Sequence, residues 1–190
     1  MRQDPGMPQP NWPPLARGYF AIGAERMSKS LNLGNLMRSA HGFGAAFTFT
    51  VGATYQALEA HADTSKGHLH LPHYNWPGLD QMALPNGCRL VGVELVDDAI
   101  DLPSFRHPLR AAYVLGPEKG SLSPPLLAKC HYVVKIPTSF CVNVAMAGAI
   151  VMYDRVKSLA RFADRPVSEG GPTPDAIRRA IAPTGHQNGN

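Results

Sequence analysis

Cysteine is scarce. The 190 residues hold three, Cys88, Cys130 and Cys141, odd in number and without CxxC spacing, so neither a disulfide framework nor a structural zinc site is indicated. Long apolar runs are lacking too. The longest, Val144 to Tyr153, falls well short of the roughly 20 residues a membrane helix needs, and the opening MRQDPGMPQPNWPP has no apolar signal core. A soluble, non-secreted, cytoplasmic protein with no membrane partner is expected. Charge is sparse as well, at 17% of residues with a net charge of +4, which suits a polyanionic partner without establishing one. Glycine and proline, by contrast, are abundant at 18 each, well above the usual share of about 12% together, in a chain that is 44% hydrophobic. These figures describe one loop-rich globular domain with a sizeable core.

Composition divides the chain. Residues 1–14 contain five prolines and almost no apolar side chains, and the stretch from Pro166 to Asn190 is rich in Gly, Pro, Asp and Ser. A disordered N-terminus (1–14), a folded domain (15–163) and a flexible tail (164–190) are expected. Within the domain, Gly18 to Ala24 reads as a buried strand, and Leu33 to Phe43 as a helix with Asn32 as its N-cap and Gly44 as its stop. Further short apolar runs, at Ala46 to Gly52, Cys88 to Leu95, Arg110 to Gly116 and Tyr132 to Pro137, have strand length. SPPLLAKC is a short helix with Ser123 at its cap and Pro124 in its first turn. A last helix runs from about Val142 to Arg161. Strands alternating with helices predict an α/β domain whose mostly parallel sheet is covered on both faces.

The last helix is apolar nearly all round in its first half, from Val144 to Met152. Such a helix must be covered on two sides. Either it is a central core helix, or the sheet covers one side and a second subunit the other.

Three segments at expected strand ends could carry chemistry, because open α/β sheets bind ligands there. NLGNLMR packs Leu33, Leu36, Met37 and Ala40 inward and leaves Asn35 and Arg38 together on another face. VLGPEKG ends a strand in a Gly-Pro turn that presents Glu118, with glycines that allow a ligand to approach the backbone. IPTSFCVNVAMAGA breaks a strand at Pro137 and opens the last helix near Asn143. Singly, each also reads as ordinary structure: a helix cap with a solvated Arg, a turn with an exposed carboxylate, and a capping Asn. A fourth stretch crowds His61, His68, His70 and His73 together, but no Cys or carboxylate completes a ligand set nearby, so no metal is expected. It reads instead as a loop whose histidines and Lys66 suit the polyanionic partner that the net charge allows.

Together and in this order, the three segments resemble the SPOUT superfamily of RNA methyltransferases, in particular its SpoU (TrmH-like) branch. The first matches the family's N-x-G-x-x-x-R followed by F-G, at Asn32, Gly34, Arg38, Phe43 and Gly44. The second is similar to its G-P-E-x-x-G, at Gly116, Pro117 and Glu118 with Gly120 close to the usual glycine. The third is similar to its I-P strand end, S-L-N and alanine-rich helix, at Ile136, Pro137, Cys141, Val142 and Asn143, with Cys141 where the family has Ser and a shorter preceding loop.

The resemblance spans about Arg17 to Lys157. It implies an α/β sheet whose C-terminal segment is threaded as a deep trefoil knot, which the rarity of knots would otherwise argue against. It further implies S-adenosyl-L-methionine as cofactor and 2′-O-methylation of RNA ribose by a homodimer. With little beyond a catalytic domain, tRNA is the favoured substrate; rRNA, or a catalytically silent RNA-binding role, is the alternative. The cofactor would rest on the backbone around Val93, Glu94, Leu115, Gly116, Gly120, Ile136 and Cys141. Asn143 and Glu118 would shape the pocket, Asn32 would fix the loop, and Arg38 would face the ribose. Because guanidinium is effectively always protonated, Arg38 would act either as the general base usually assigned to it or by charge on the developing alkoxide.

Overall fold

The computed structural model describes residues 18–53 and 71–181, with the side chain of the last excepted. They fall into two compact units that divide between Ser158 and Leu159. The larger is the α/β unit. Its strands are β1 (Tyr19–Glu25), β2 (Phe47–Val51), β3 (His73–Trp76), β4 (Arg89–Val93), β5 (Ile100–Asp101), β6 (Arg110–Leu115) and β7 (Tyr132–Lys135). Helix α1 (Ser30–Gly42) follows β1, α2 (Pro124–Lys129) follows β6, and α3 (Val144–Leu159) follows β7. The smaller unit carries α4 (Pro174–Ile181), in a stretch where the sequence suggested no regular element.

The strands form one sheet in the order β3-β2-β1-β6-β4-β7-β5, and every pair is parallel. Both faces are covered, as the apolar runs predict. Phe20, Ile22 and Ala24 of β1, with Tyr113 and Leu115 of β6, pack under α1 and α3. Ala21, Phe49, Ala112 and Val114 pack on the other face with Leu126 of α2. The two helices on the first face come close because Gly148 of α3 sits against α1, where a Cβ would lie 2.4 Å from Leu36 Cδ1. At the opposite end of α3, buried Arg155 donates to the carbonyls of Pro108 (2.6 Å) and Leu109 (2.8 Å) and to the Tyr113 hydroxyl (3.1 Å). A guanidinium with five donors suits that task, since it ties the turn before β6 to the β6 hydroxyl from one buried side chain.

The reading from sequence needs correction at α1, β3 and β5. The first helix begins at Ser30 with Lys29 as its cap, so Asn32 lies inside the first turn instead of capping it. β3 and β5 were not foreseen, being short edge strands. β3 is locked through side chains: Thr48 Oγ1 bonds His73 Nδ1 at 2.9 Å, and Thr50 Oγ1 donates to Asn75 Oδ1 at 2.9 Å. Burial lowers His73 to a pKa of about 4, so this histidine is a neutral partner of Thr48. His61, Lys66, His68 and His70 lie outside the described residues, as do residues 1–14. The short helix from Pro124 is as expected, its cap Ser123 accepting from the Leu126 amide.

Candidate active site

In chain order β1 leads outward to β2 and β3, and the chain then returns to build β4, β6 and β7 on the other side of β1. Strand direction and order thus create a switch point beside β1, and ligand clefts form outside the carboxyl ends of strands at such points. A cleft of about 330 Å³ lies there, walled by the segments after β1, β4, β6 and β7. That volume is within the roughly 300–1,000 Å³ usual for small-molecule sites. Val93, Glu94, Leu115, Gly116, Gly120, Ile136, Cys141, Asn32, Glu118 and Asn143, all singled out from the sequence, line it. Lys29, Leu95, Pro117, Thr138, Val142, Val144 and Ala147 complete the wall. Arg38 does not line the cleft. It lies exposed on α1, on the stripe it shares with Leu31 and Asn35.

One polar network ties the three segments together. The Glu118 carboxylate accepts from the backbone N–H of Ser28 (3.0 Å), the Ser28 hydroxyl (2.9 Å), the backbone N–H of Lys29 (3.0 Å) and Asn32 Nδ2 (3.0 Å). Asn32 Oδ1 in turn accepts from Asn143 Nδ2 at 3.0 Å. Asn143 Oδ1 is then free to cap α3, accepting from the Ala145 amide at 2.9 Å and the Met146 amide at 3.4 Å. Each amide's orientation follows from the next, because a carboxylate at one end can only accept. Burial alone would push the Glu118 carboxyl up, but the donors from Ser28 and Asn32 outweigh it and hold its pKa below the ordinary value.

A second tie shapes the floor. Glu94 Oε2 accepts from the Leu122 amide at 2.7 Å and Oε1 from the Leu95 amide at 3.0 Å, so this carboxylate fixes the loops that follow β4 and β6. Gly116 sits over that contact, where a Cβ would stand 3.2 Å from the Leu122 nitrogen and 3.3 Å from Glu94 Oε2. Gly120, at φ +93°, holds a backbone conformation that side chains disfavour. Cys141 is exposed on the wall.

The tie between Glu118 and the segment after β1 escaped sequence reading, as did Ser28 and Lys29. Glu118 lies 89 residues from Lys29 in the chain, so no local pattern could announce the pairing.

An all-parallel α/β sheet with a cleft at its switch point, closed by two asparagines and a glutamate from three separate strand ends, defines the class. Residues 19–153 match the model of the SpoU rRNA Methylase family, and the chain belongs to that family. It is 27% identical over 147 residues to the mouse tRNA (guanosine(18)-2′-O)-methyltransferase TARBP1, a match covering 70% of this chain and 9% of that protein. Among solved structures, it resembles the SpoU methyltransferase AviRb of Streptomyces viridochromogenes in complex with AdoMet, at TM-score 0.68 and 21% identity over 78% of this chain and 61% of that one. It also resembles a structure described as giving insights into the 2-OH methylation of C/U34 on tRNA, at TM-score 0.65 and 19% identity, over 74% of this chain and 91% of that one. The chain therefore spans less than a tenth of the length of the curated relative and about three fifths of AviRb.

Proposed function

We propose that this chain is an S-adenosyl-L-methionine-dependent RNA ribose 2′-O-methyltransferase acting on tRNA, working as a cytoplasmic homodimer. The carrying observation is the Glu118–Asn32–Asn143 network, which holds three family motifs around one cleft at the sheet's switch point. Family membership and the named activity of the mouse relative support the same reading. The family's own description favours rRNA as the second reading. The trefoil threading of the segment after β7 is part of the proposal. So is the compartment, for which the three free cysteines argue.

The residues present fit the cofactor. Val93, Leu115, Ile136 and Val142 give the cleft apolar walls. Gly116 and Gly120 put bare backbone on the wall, which suits a ligand held against backbone. When bound, S-adenosylmethionine supplies an electrophilic methyl on a sulfonium, and an oxygen attacks it in line. The chain's own task is positioning and charge placement. The backbone at Val93, Glu94, Leu115, Gly116, Gly120, Ile136 and Cys141 would cradle the cofactor. Asn32, Glu118 and Asn143 keep those walls in register, and Arg38, exposed on α1 outside the cleft wall, would reach the ribose only with RNA bound, to stabilise its oxygen as it loses its proton or take up that proton itself.

Two measurements test this. Calorimetry should detect binding of S-adenosylmethionine or its demethylated product, and mass spectrometry should find a 2′-O-methyl mark on RNA treated with the protein. Arg38→Ala should lower methyl transfer by roughly a hundredfold, the usual cost of losing one transition-state contact, with cofactor affinity nearly unchanged. No heat at millimolar cofactor would end the enzyme reading, and wild-type turnover by Arg38→Ala would end the role given to that residue.

A further inference from the structure

Among the described residues that line the cleft, Lys29 is the one lysine or arginine. Helix chemistry gives no reason for it. N-cap positions favour Ser, Thr, Asp and Asn, whose short side chains accept from free amides, and the positive end of the helix dipole favours anions. Lysine fails on both counts. It makes no side-chain cap bond here, and the nearby carboxylate of Glu118, arriving from the end of β6, accepts the Ser28 and Lys29 amides that lead into the helix. A cation is thus kept at a position that opposes it, at the mouth of the cleft.

The backbone of Lys29 is fixed at both ends. Its N–H is held by Glu118, and its carbonyl accepts from the amides of Asn32 (3.1 Å) and Leu33 (3.3 Å). The residue is exposed, whereas Asn32 in the first turn is buried. The stem therefore rises from a rigid base at the rim. Glu118 is a poor resting partner for the ammonium, because a carboxylate offers about four acceptor sites and four donors already use this one.

Building on the RNA-methylation reading, we propose that Lys29 is a substrate-positioning residue that holds an RNA phosphate beside the ribose presented at the cleft. Charge selects the phosphate over the cofactor. S-adenosylmethionine carries a sulfonium and an ammonium against a single carboxylate, so a nearby ammonium opposes it on balance. RNA brings a phosphate on each side of an internal ribose. A compact charge on a flexible stem tethers such a group without dictating its orientation, which leaves the in-line geometry to the cleft walls.

The test uses the full chain, unfractionated tRNA as binding probe, and a salt series from about 50 to 300 mM KCl, because each phosphate neutralised contributes about one unit to the slope of log K against log salt. Lys29→Gln should lower that slope by about one and raise the KM for the methylated RNA about tenfold, with kcat and cofactor affinity held within about twofold. Lys29→Arg should restore the slope. Lys129→Gln, on α2 and outside the cleft, measures the effect of losing any one charge. An unchanged slope in folded Lys29→Gln, or an equal drop in Lys129→Gln, overturns the assignment. Weakened cofactor binding with RNA affinity intact also overturns it and gives Lys29 to the cofactor carboxylate. A wild-type protein that methylates no RNA brings down the underlying function instead, and the Lys29 role with it.

Discussion

Glu118 does at residue scale what its motif alone would not suggest. It accepts hydrogen bonds from three residues of the segment that follows β1 and so ties that segment to the end of β6. Its folded pKa is lowered, so the unfolded chain binds the proton more readily. The resulting stabilisation is complete above the ordinary value of 4.5 and is lost as pH falls through the lowered folded value. Glu118→Gln keeps the shape and removes the charge. It should cost about 1 kcal/mol near neutral pH, less than the roughly 1.5–3 kcal/mol of hydrogen bonds to a charged group because solvent screens this partly exposed carboxylate. In denaturant titrations from pH 7 down to pH 3, the gap between wild type and variant should close at the acid end, as the native carboxylate takes its proton. A gap that stays constant over that range would mean that the charge contributes nothing. The glutamate's presence in a turn was legible in the sequence, but its partners were not, because a carboxylate's donors are chosen by the fold and not by its neighbours in the chain.

At the scale of elements, the strands read from apolar runs reappear as β1, β2, β4, β6 and β7, because a parallel sheet buried on both faces demands continuous hydrophobicity. β3 escaped because its inward hydroxyl and imidazole partners make it polar: His73 and Asn75 bond Thr48 and Thr50, and no apolar run marks it. The start of α1 was misread for a related reason. Asn32 has the chemistry of a cap, yet its amide is spent on Glu118 and Asn143, within the first turn of the helix. Packing between α1 and α3 yields a prediction of its own. Gly148→Val puts branched carbon where a Cβ already lies 2.4 Å from Leu36 Cδ1 and 3.3 Å from Ile22 Cδ1. Overpacking of this kind should destabilise by about 1–3 kcal/mol. Shifting α3 also displaces Asn143 at its first turn, so cofactor affinity should fall together with stability. Leu36→Ala should recover part of both losses in the Gly148→Val background, and additive losses in that double-mutant cycle would place the strain elsewhere.

For the whole molecule, the question raised by the apolar last helix has a geometric answer within one chain. Val144, Ala145, Ala147, Gly148, Val151 and Met152 of α3 are buried, while Met146 and Tyr153 each remain 58% exposed. Together with half-buried Ile150 they recur at helical spacing along one stripe, so a single copy covers only one side of the helix. A second copy meeting this stripe through a two-fold axis would bring identical apolar faces together, the self-complementary contact that two-fold dimers use. The proposed homodimer rests on that face. Met152 is fully buried within the chain, so a charge there would test folding and not association. Met146→Glu and Tyr153→Glu are the proper probes, because both side chains face outward and a carboxylate on either leaves the core intact. Each variant should keep its circular dichroism spectrum, sediment as a monomer at micromolar concentration where the wild type sediments as a dimer, and lose most methyl transfer. The loss follows because one subunit offers a folded RNA little surface. A wild-type chain that sediments as a monomer at that concentration would remove the dimer from the proposal. Monomeric variants with full turnover would show that the second subunit contributes nothing to the reaction.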